Sequence, residues 1–466
     1  MRNDDTIVAP ATPPGRAGMS VIRLSGPQAL AIASQVLRLR KRPLETQRAA
    51  LASFADPEDG RILDEVVVIC FRRPHSYTGE DVAEISCHGS PVILGYLVQC
   101  CLSSGARAAE PGEFTLRAFL NGRMDLSQAE AVRDLIESRT LYQARVAALQ
   151  LAGSLSARLK PHQQSLLDLI AALEAGIDFG EDDVPIMGWE EAGRRLDEIY
   201  HDLSKLAESH RYGRMIREGI TLALAGRPNV GKSSVFNRLL NRERAIVTAV
   251  PGTTRDLVSE IEALDGIPLR FVDTAGIRNT QDEIERIGIE RTRQAIADAD
   301  LRLLIVDASD EWRSEDSELL QHTRRLGRML LVANKCDLPM RTRPADLVKA
   351  VQGARSEGLG DVPMVFTSAK TGEGFEELKK QITASAGLGL GSGLEGEWLT
   401  NARHQQAITG SLQALARAQQ AARERVHHEM LLLDLYEALR RLGEITGTAD
   451  VENILRVIFS KFCVGK

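Results

Sequence analysis

A single short stretch limits most strongly what this chain can fold into. Residues 226–233 read G-R-P-N-V-G-K-S, which matches the G-x-x-x-x-G-K-S phosphate loop. They follow an alternating apolar run that ends at Leu224 and precede a helical pattern that starts at Val235. In this strand–loop–helix order, backbone N–H groups surround a phosphate at a helix N-terminus, whose dipole favours anions. The motif predicts a nucleotide-binding α/β domain, with Lys232 on the β- and γ-phosphates as a catalytic residue and Ser233 on Mg²⁺.

Two later motifs indicate which base is bound. An apolar run at 329–333 is followed by N-K-C-D at 334–337. The Asp337 carboxylate can accept two hydrogen bonds, from the N1–H and the exocyclic amine of guanine, and adenine cannot supply this pair. The S-A-K sequence at 368–370 follows another strand-like run and is expected to support the base from its other side. The sequence therefore predicts GTP, not ATP, as the ligand.

Two segments between these motifs are typical of nucleotide-sensing switch loops. A threonine in the first, at 248–256, can complete the Mg²⁺ shell and respond to the γ-phosphate. In the second, Asp273 is expected to hold the metal through water, and the Gly276 amide to bond the γ-phosphate. The predicted GTP-binding residues are Asn229, Val230, Gly231, Lys232, Ser233, Ser234, Thr248, Ala249, Val250, Pro251, Gly252, Thr253, Thr254, Asp273, Thr274, Ala275, Gly276, Asn334, Lys335, Asp337, Ser368, Ala369 and Lys370.

Hydrolysis needs a device other than a glutamine. Ile277 occupies the position where Ras-like enzymes carry a water-orienting glutamine, and an apolar side chain cannot orient water. The carbonyl oxygen of Asn229 suggests a monovalent cation beside the phosphates, in the place of an arginine finger. A carboxylate in the acidic segment 282–285 can then position water. The same acids are also favoured in the first turn of any helix, so both interpretations stay open.

Composition limits the class of protein. With 466 residues, 43% hydrophobic and 26% charged, the chain is long enough for about three globular domains. The net charge of −6 argues against broad non-specific nucleic-acid binding. We find no apolar run that could span a bilayer, and the N-terminus is acidic where a signal peptide is basic and apolar. The six cysteines lack metal-binding spacing, which predicts reduced thiols in a cytoplasmic protein.

Periodicity predicts a multidomain chain. Residues 1–120 mix strand-like and helical segments and form an α/β domain, whereas 121–217 and 384–466 are helical. Helical patterns at 125–173 and 189–209 are expected to be interrupted at Pro161 and Pro185. A glycine-rich linker precedes the last helices. The simplest interpretation is one discontinuous all-α domain, interrupted by an inserted P-loop α/β (Ras-like) G domain at 218–383.

The stretches on both sides of the G domain resemble one family. The matching stretches on its two sides are 11–16, 76–84, 111–115, 118–122 and the terminal F-C-V-G-K at 462–466. The stretch 288–291, after the second switch segment, also matches. These stretches resemble the tRNA wobble-uridine modification GTPases of the MnmE/TrmE family, over essentially the whole chain. The resemblance implies that the N-terminal domain binds tetrahydrofolate and forms a homodimer, and that the FAD-dependent MnmG (GidA) is the partner. The two proteins would install a carboxymethylaminomethyl or aminomethyl group at C5 of the tRNA wobble uridine, with methylene-tetrahydrofolate as carbon donor.

The resemblance also implies residue roles. Potassium would be held by Asn229, Thr248, Val250 and Thr253, and Mg²⁺ by Ser233 and Thr254. Glu285 would orient the attacking water, and Arg23, Glu84, Arg123 and Lys466 would contact a 5,10-methylene or 5-formyl folate. The family commonly has lysine at the position of Arg123, so the charge is kept but the geometry of that contact changes. Cys463 would contribute to the modification chemistry. Its other interpretation is an apolar tail residue beside Phe462 and Val464.

Two other functions share parts of this pattern. A ribosome-assembly GTPase switch, with no covalent RNA product, would carry an RNA-binding module such as a KH domain, but the C-terminal helices contain no G-x-x-G clamp. A stand-alone folate aminomethyltransferase with a regulatory GTPase would turn over folate without MnmG.

Overall fold

The structure, a computed structural model, describes residues 5–40, 44–178, 187–240, 262–264, 266–272, 298–342, 344–353, 362–386 and 398–448, with 455, 458, 459, 462, 463 and 465 beyond them. The chain divides into two compact units. The first contains Met1–Arg133, Gln150–Trp189 and Gln420–Lys466, and the second contains Asp134–Leu149 and Glu190–Gln419.

Strands and helices are mixed over residues 7–120 and again over 220–386, whereas the described elements over 126–218 and 402–446 are helices. The strands are β1 Ile7–Pro10, β2 Ala17–Ser25, β3 Leu37–Leu39, β4 Ala50–Ala55, β5 Ile62–Phe71, β6 Val82–Gly89, β7 Arg107–Ala108, β8 Ile220–Ala225, β9 Glu262–Leu264, β10 Ile267–Val272, β11 Leu301–Asp307, β12 Met329–Asn334 and β13 Met364–Phe366. The helices are α1 Ala29–Val36, α2 Pro91–Ser103, α3 Glu113–Leu120, α4 Leu126–Glu137, α5 Leu141–Leu151, α6 Ser154–Asp178, α7 Trp189–Glu208, α8 His210–Glu218, α9 Lys232–Leu240, α10 Ser314–Arg325, α11 Pro344–Gly353, α12 Phe375–Ala386, α13 Ala402–Arg423 and α14 His428–Thr446.

The first unit is built on a sheet with the order β3-β4-β5-β6-β2-β1-β7. Neighbouring strands are antiparallel except β1 and β7, which are parallel. In β5, Val66, Val68 and Cys70 are buried and alternate with more exposed residues, because successive side chains of a strand point to opposite faces. They share one core with residues of α1 and α2, including the fully buried Leu97. Each large apolar side chain buried there contributes about 1.5–3 kcal/mol of transfer free energy.

Helices and the C-terminal tail complete the first unit. Helices α6 and α14 pack against each other, and the Tyr436 hydroxyl donates a hydrogen bond to Glu174. A separate apolar cluster joins Leu116 of α3 and Leu126 of α4 to Phe459 and Phe462 near the end of the chain. This part of the tail is therefore packed against the residues that follow the sheet.

The second unit contains a sheet with the order β13-β12-β11-β8-β10-β9. All its neighbouring strands are parallel except β9 and β10, which form an antiparallel pair. Strand β12 is buried along its whole length, as expected for a parallel strand with both faces covered. Its sequence is accordingly continuously apolar until Asn334. The predicted P-loop α/β domain is confirmed by this sheet and by the loop at the end of β8.

Helix α5 is fastened to this sheet by polar contacts within the second unit. The Thr140 hydroxyl just before α5 donates a hydrogen bond to the carbonyl oxygen of Gly266 in the β9–β10 turn. The Gln143 amide donates to the carbonyls of Ile216 and Arg217, at 2.8 and 2.9 Å. These bonds satisfy main-chain acceptors at the end of α8, which would otherwise lack partners.

One detail of the predicted helical regions is wrong. Pro161 does not interrupt its helix but lies inside α6. Residue 161 is exposed, so water can satisfy the carbonyl whose intrahelical bond proline removes. In the C-terminal region, α13 and α14 are separated by a turn at Arg425, whose φ of 54° is left-handed. Pro185 and the glycine-rich linker lie outside the described residues, and no described helix is long and apolar enough to cross a membrane.

Candidate functional site

The phosphate loop joins β8 to α9, which begins at Lys232. The Lys232 ammonium donates hydrogen bonds to the carbonyl oxygens of Gly226 and Arg227, both at 2.8 Å. Burial lowers the pKa of Lys232. Gly231 has a φ of 97°, and a Cβ atom there would lie 2.3 Å from the side-chain nitrogen of Asn334, so the loop requires glycine at this position. The geometry is that of a tight loop folded around its own lysine.

Asn334 connects the phosphate loop to the predicted base-binding loop. It is the last residue of β12 and is buried. Its amide nitrogen donates to the Val230 carbonyl, and its amide oxygen accepts from the Ala369 N–H, both at 3.0 Å. One short side chain therefore fixes the distance between two of the predicted GTP motifs.

Lys335 makes a second connection to the phosphate loop. Its ammonium donates to the carbonyl oxygen of Asn229 at 2.9 Å and pairs with the Asp307 carboxylate at the end of β11. Burial opposes ionisation of Asp307, but hydrogen bonds from Lys335 and Ser309 outweigh it and hold the pKa of this carboxyl below its usual value. Asn229, the predicted potassium ligand, has a left-handed φ of 63°. The loop conformation at this residue is thus supported from β11 through Lys335.

The predicted guanine-reading carboxylate is also oriented. The Ser368 hydroxyl donates to Asp337 Oδ1 at 2.6 Å and accepts from the Thr371 N–H at 3.1 Å. Asp337 and Lys370 are exposed, so both can be reached by a ligand. The S-A-K motif therefore lies beside N-K-C-D, as the sequence predicts.

The other predicted nucleotide residues divide into two groups. Ser233 and Ser234 lie in the first turn of α9 and are exposed. The switch residues and the glutamate predicted to orient water lie outside the described residues: Thr248, Ala249, Val250, Pro251, Gly252, Thr253, Thr254, Asp273, Thr274, Ala275, Gly276 and Glu285. Lys466, a predicted folate residue, also lies outside them.

A second candidate site is a cavity of about 440 Å³ in the first unit. Ligand pockets commonly fall between about 300 and 1,000 Å³. Two of the predicted folate residues, Glu84 and Arg123, lie on its wall. The complete lining is Gln47, Phe71, His75, Ser76, Tyr77, Val82, Glu84 and Arg123. The cavity is therefore lined by a carboxylate, a guanidinium cation and aromatic side chains.

Arg23 lies directly beside Glu84. The two residues are register partners on β2 and β6, and the Arg23 Nε donates a hydrogen bond to Glu84 Oε1 at 2.9 Å. The Arg23 Nη2 forms an ion pair with the same oxygen at 2.8 Å. The guanidinium also lies over the rings of Tyr77 and Phe114, 5.1 and 5.7 Å from their centroids. The other carboxylate oxygen of Glu84, Oε2, has no hydrogen-bond partner among the described residues and is available to a ligand.

The described part of the tail lies beside the start of α3. The Cys463 carbonyl accepts a hydrogen bond from the Gly112 N–H at 3.4 Å, and the Cys463 side chain is exposed. Its neighbour Phe462 is buried with Phe459. Cys463 is therefore not a member of the apolar cluster that anchors this end of the chain.

Several cavity residues were not predicted from sequence. Tyr77 falls inside the stretch 76–84, and its aromatic side chain in a polar motif is a signal that could have identified it. Gln47, Phe71 and His75 carry no local signal, because they reach the cavity only through the pairing of distant strands.

A buried ion network supports this part of the first unit. The Arg117 guanidinium donates to the Asp5 carbonyl at 2.9 Å, to Glu113 at 3.0 Å and to Glu80 at 3.2 Å. Arg107 also pairs with Glu113. A buried cation surrounded by three acidic residues is satisfied, whereas removal of one member leaves charge without a partner. Glu113 and Arg117, the two charged residues of the E-F-T-L-R sequence at 113–117, therefore have a structural role in this network.

The strand order and the phosphate loop define a P-loop GTP-binding protein. Two family models match the chain: "GTP-binding protein TrmE N-terminus" over residues 6–123 and "MnmE helical domain" over residues 126–463. The tRNA modification GTPase MnmE of Koribacter versatilis (strain Ellin345) is 54% identical and aligned over 100% of both chains. The enzyme of the same name from Aquifex aeolicus (strain VF5) is 41% identical over 99% of this chain and 100% of its own. The chain belongs to the MnmE family of tRNA modification GTPases.

A solved structure gives a local match. The G domain of the T. maritima FeoB iron transporter aligns with 36% of this chain and 98% of its own length, at 29% identity and a TM-score of 0.27. A TM-score this low adds nothing about shape, which rests on the strand order above.

Proposed function

We propose that this tRNA modification GTPase is stimulated by potassium and acts with the FAD-dependent MnmG. In this proposal the two proteins install a carboxymethylaminomethyl or aminomethyl group at C5 of the tRNA wobble uridine, with methylene-tetrahydrofolate as carbon donor. The proposal draws on the family membership and on one observation in the first unit. That observation is the cavity lined by Glu84, which has one carboxylate oxygen without a hydrogen-bond partner among the described residues, and by the cationic Arg123.

The cavity residues fit a reduced folate. A pterin offers an exocyclic amine and a ring N–H, which a carboxylate can accept together. Glu84 Oε2 is available for this, and Arg23 holds the carboxylate in one orientation through Oε1. Tyr77 supplies an aromatic face, and Arg123, which is exposed, can meet the anionic glutamate tail. The folate would supply the carbon that is transferred, and Lys466 and Cys463 are proposed to act at the same site.

The phosphate loop residues fit Mg²⁺ and potassium. Ser233 is an exposed hydroxyl in the first turn of α9, where a phosphate-loop serine ligates Mg²⁺. Asn229 is held in a left-handed conformation, with its main-chain carbonyl bound by Lys335, and its side-chain amide oxygen is the proposed potassium ligand. Potassium would add positive charge beside the β- and γ-phosphates, where negative charge develops during hydrolysis. Thr248, Val250 and Thr253 are proposed as further potassium ligands, Thr254 as a second Mg²⁺ ligand and Glu285 as the residue that orients water.

We also propose the domain boundaries 1–120, 121–217, 218–383 and 384–466, for the folate domain, the first helical part, the G domain and the second helical part. The homodimer is proposed to form through the folate domain, and the G domains of its two protomers to meet in the GTP state.

Nucleoside mass spectrometry of bulk tRNA tests the modification. Cells without this chain should lose the aminomethyl-type wobble uridine, and the parental protein should restore it. Cys463→Ser and Asp273→Ala should fail to restore it, because tail and switch are both required. Unchanged tRNA together with a ribosomal-subunit defect would instead support an assembly switch.

Steady-state GTP hydrolysis tests the cation. Asn229→Ala should retain nucleotide but lose potassium stimulation, and Glu285→Ala should hydrolyse GTP more slowly than the parent. Equal potassium stimulation of Asn229→Ala would disprove the proposed cation, and a parental rate for Glu285→Ala would disprove its role with water.

A further inference from the structure

Arg227, in the phosphate loop, has a side chain that does not face the nucleotide motifs. It is 8% exposed, and its Nε donates to Asp316 Oδ1 at 2.7 Å. Asp316 is 2% exposed and belongs to the first turn of α10. The pair is therefore a buried ion pair between the loop and a neighbouring helix. Nothing in the phosphate-binding motif itself requires an arginine here.

The partners of Arg227 are themselves held in place. The second oxygen of Asp316 accepts from the Arg313 N–H at 3.0 Å and so caps α10. Arg227 also approaches the Asp310 carboxylate at 3.5 Å, and the Asp310 carbonyl accepts from the Thr342 hydroxyl at 2.6 Å. Thr342 follows the predicted base-binding motif closely along the chain. The Arg227 side chain thus pairs with Asp316 and Asp310, and both of these residues make further hydrogen bonds within the second unit.

The main chain of Arg227 contacts the phosphate-binding lysine. Its carbonyl oxygen accepts from the Lys232 ammonium at 2.8 Å. The side chain fixes one end of the loop to α10, and the carbonyl on the same residue helps to orient Lys232. A small displacement of a positioned group is enough to weaken its action strongly.

We propose that Arg227 is a positioning residue for nucleotide binding, and that its ion pair with Asp316 fixes the phosphate loop against the start of α10. Arg227 acts through its backbone and through Lys232, without touching the nucleotide. Both GDP and GTP depend on the loop, so both should depend on this pair. The inference concerns GTP binding alone and does not rest on folate, potassium or MnmG.

Binding of GDP and of a non-hydrolysable GTP analogue to the full-length protein with Mg²⁺ tests the proposal. Arg227→Gln and Asp316→Asn should each weaken both nucleotides about tenfold. The amide introduced by the second substitution keeps an acceptor oxygen for the helix cap. The double variant should be no more than about threefold weaker than either single variant, because residues of one pair are not additive. In hydrolysis, KM for GTP should rise and kcat should fall as well, because Lys232 also acts on the β- and γ-phosphates during the reaction.

Arg313→Gln is the matched control. Arg313 donates to the same Asp310 carboxylate at 2.8 Å, but its side chain is 56% exposed and it lies outside the loop. Its nucleotide affinity should stay within about twofold of the parent, as for a surface ion pair.

Two results would overturn the proposal. One is parental nucleotide affinity in Arg227→Gln together with a lowered melting temperature, because this result would mean that the ion pair stabilises the fold without affecting nucleotide binding. The other is single-variant effects that multiply in the double variant. If Arg227→Gln does not fold, Arg227→Lys decides: it keeps the charge but loses the planar Nε donor. Weaker GDP binding at an unchanged melting temperature then supports the proposal, and unchanged binding overturns it.

Discussion

The phosphate-loop site and the N-terminal cavity are constructed in different ways. In the phosphate-loop site, side chains mostly form hydrogen bonds with main-chain atoms. Lys232 donates to loop carbonyls, and Asn334 donates to the Val230 carbonyl and accepts from the Ala369 N–H. The cavity is lined by side chains from separate strands and loops, and one of them, Glu84, is held by Arg23 of the neighbouring strand. Main-chain geometry is encoded in short continuous motifs, whereas side-chain constellations depend on strand pairing. The first kind of site can therefore be recognised from sequence much more completely than the second.

Asp337→Asn gives the largest expected effect and breaks only the nucleotide site. Loss of two charge-assisted hydrogen bonds to guanine should weaken GDP and GTP about 100-fold. The new amide can donate to the carbonyl that xanthine has in place of the exocyclic amine, so xanthosine nucleotides should bind better than to the parent. Titration with fluorescent nucleotides measures both, and Cys336→Ser in the same motif is the control. Equal GDP affinity in parent and variant would remove Asp337 from base recognition.

Glu113→Gln tests the buried ion network around Arg117 in the first unit. Burial raises the pKa of the Glu113 carboxyl, but hydrogen bonds from Arg107, the Glu110 N–H and Arg117 outweigh it and hold that pKa below its usual value. Ionised Glu113 therefore stabilises the fold above its ordinary pKa, and this contribution is lost as pH falls through the lowered folded value.

The free energy of unfolding of the Glu113→Gln variant should be lower by about 2 kcal/mol at neutral pH, and the difference should shrink below about pH 4. Urea titrations from neutral to acidic pH measure it. Glu110→Gln, an exposed neighbour, should differ from the parent by less than about 0.5 kcal/mol. A difference that persists unchanged at about pH 3 would mean that ionisation of Glu113 is not its source.

Glu84→Gln breaks the cavity and leaves the nucleotide site intact. The amide keeps one acceptor oxygen but cannot accept both pterin donors as a carboxylate does, so 5-formyl-tetrahydrofolate should bind about tenfold more weakly. GTP hydrolysis should be unchanged. Isothermal titration calorimetry measures the folate, with Glu65→Gln on β5 as the control, because its side chain is 63% exposed and pairs only with Arg40 among the described residues. Parental folate affinity in Glu84→Gln would contradict the proposed site.

Ser368→Ala gives the smallest expected effect. It removes the hydroxyl that orients Asp337 and leaves the ligand contacts in place, so GDP affinity should fall only about three- to tenfold. Thr383→Ala removes a hydroxyl within α12 that bonds its own helix, and should leave affinity unchanged. A fall as large as that of Asp337→Asn would mean that Ser368 contacts the nucleotide itself.

The fold and the site differ in how far sequence could predict them. The apolar runs that end at Leu224 and Ala333 became β8 and β12, because alternating or continuous apolar patterns directly reflect burial of one or both faces. The helix interruption predicted at Pro161 was wrong, since an exposed proline is tolerated inside a long helix. Gln47 and His75 could not be predicted, because nothing local shows that their segments meet at one cavity. The Arg227–Asp316 pair was likewise hidden, since 89 positions separate its members.

The assembly of the first unit from three segments has a consequence for synthesis. Translation proceeds from the N-terminus, so residues 190–419 leave the ribosome before α14 exists. The second unit can therefore form its parallel sheet on the nascent chain. During this time, the surface of α6 that packs against α14 is still exposed. Leu116 and Leu126 also still lack their contacts with Phe459 and Phe462. The compact unit that begins the chain is thus completed only after α14 and the tail have been made.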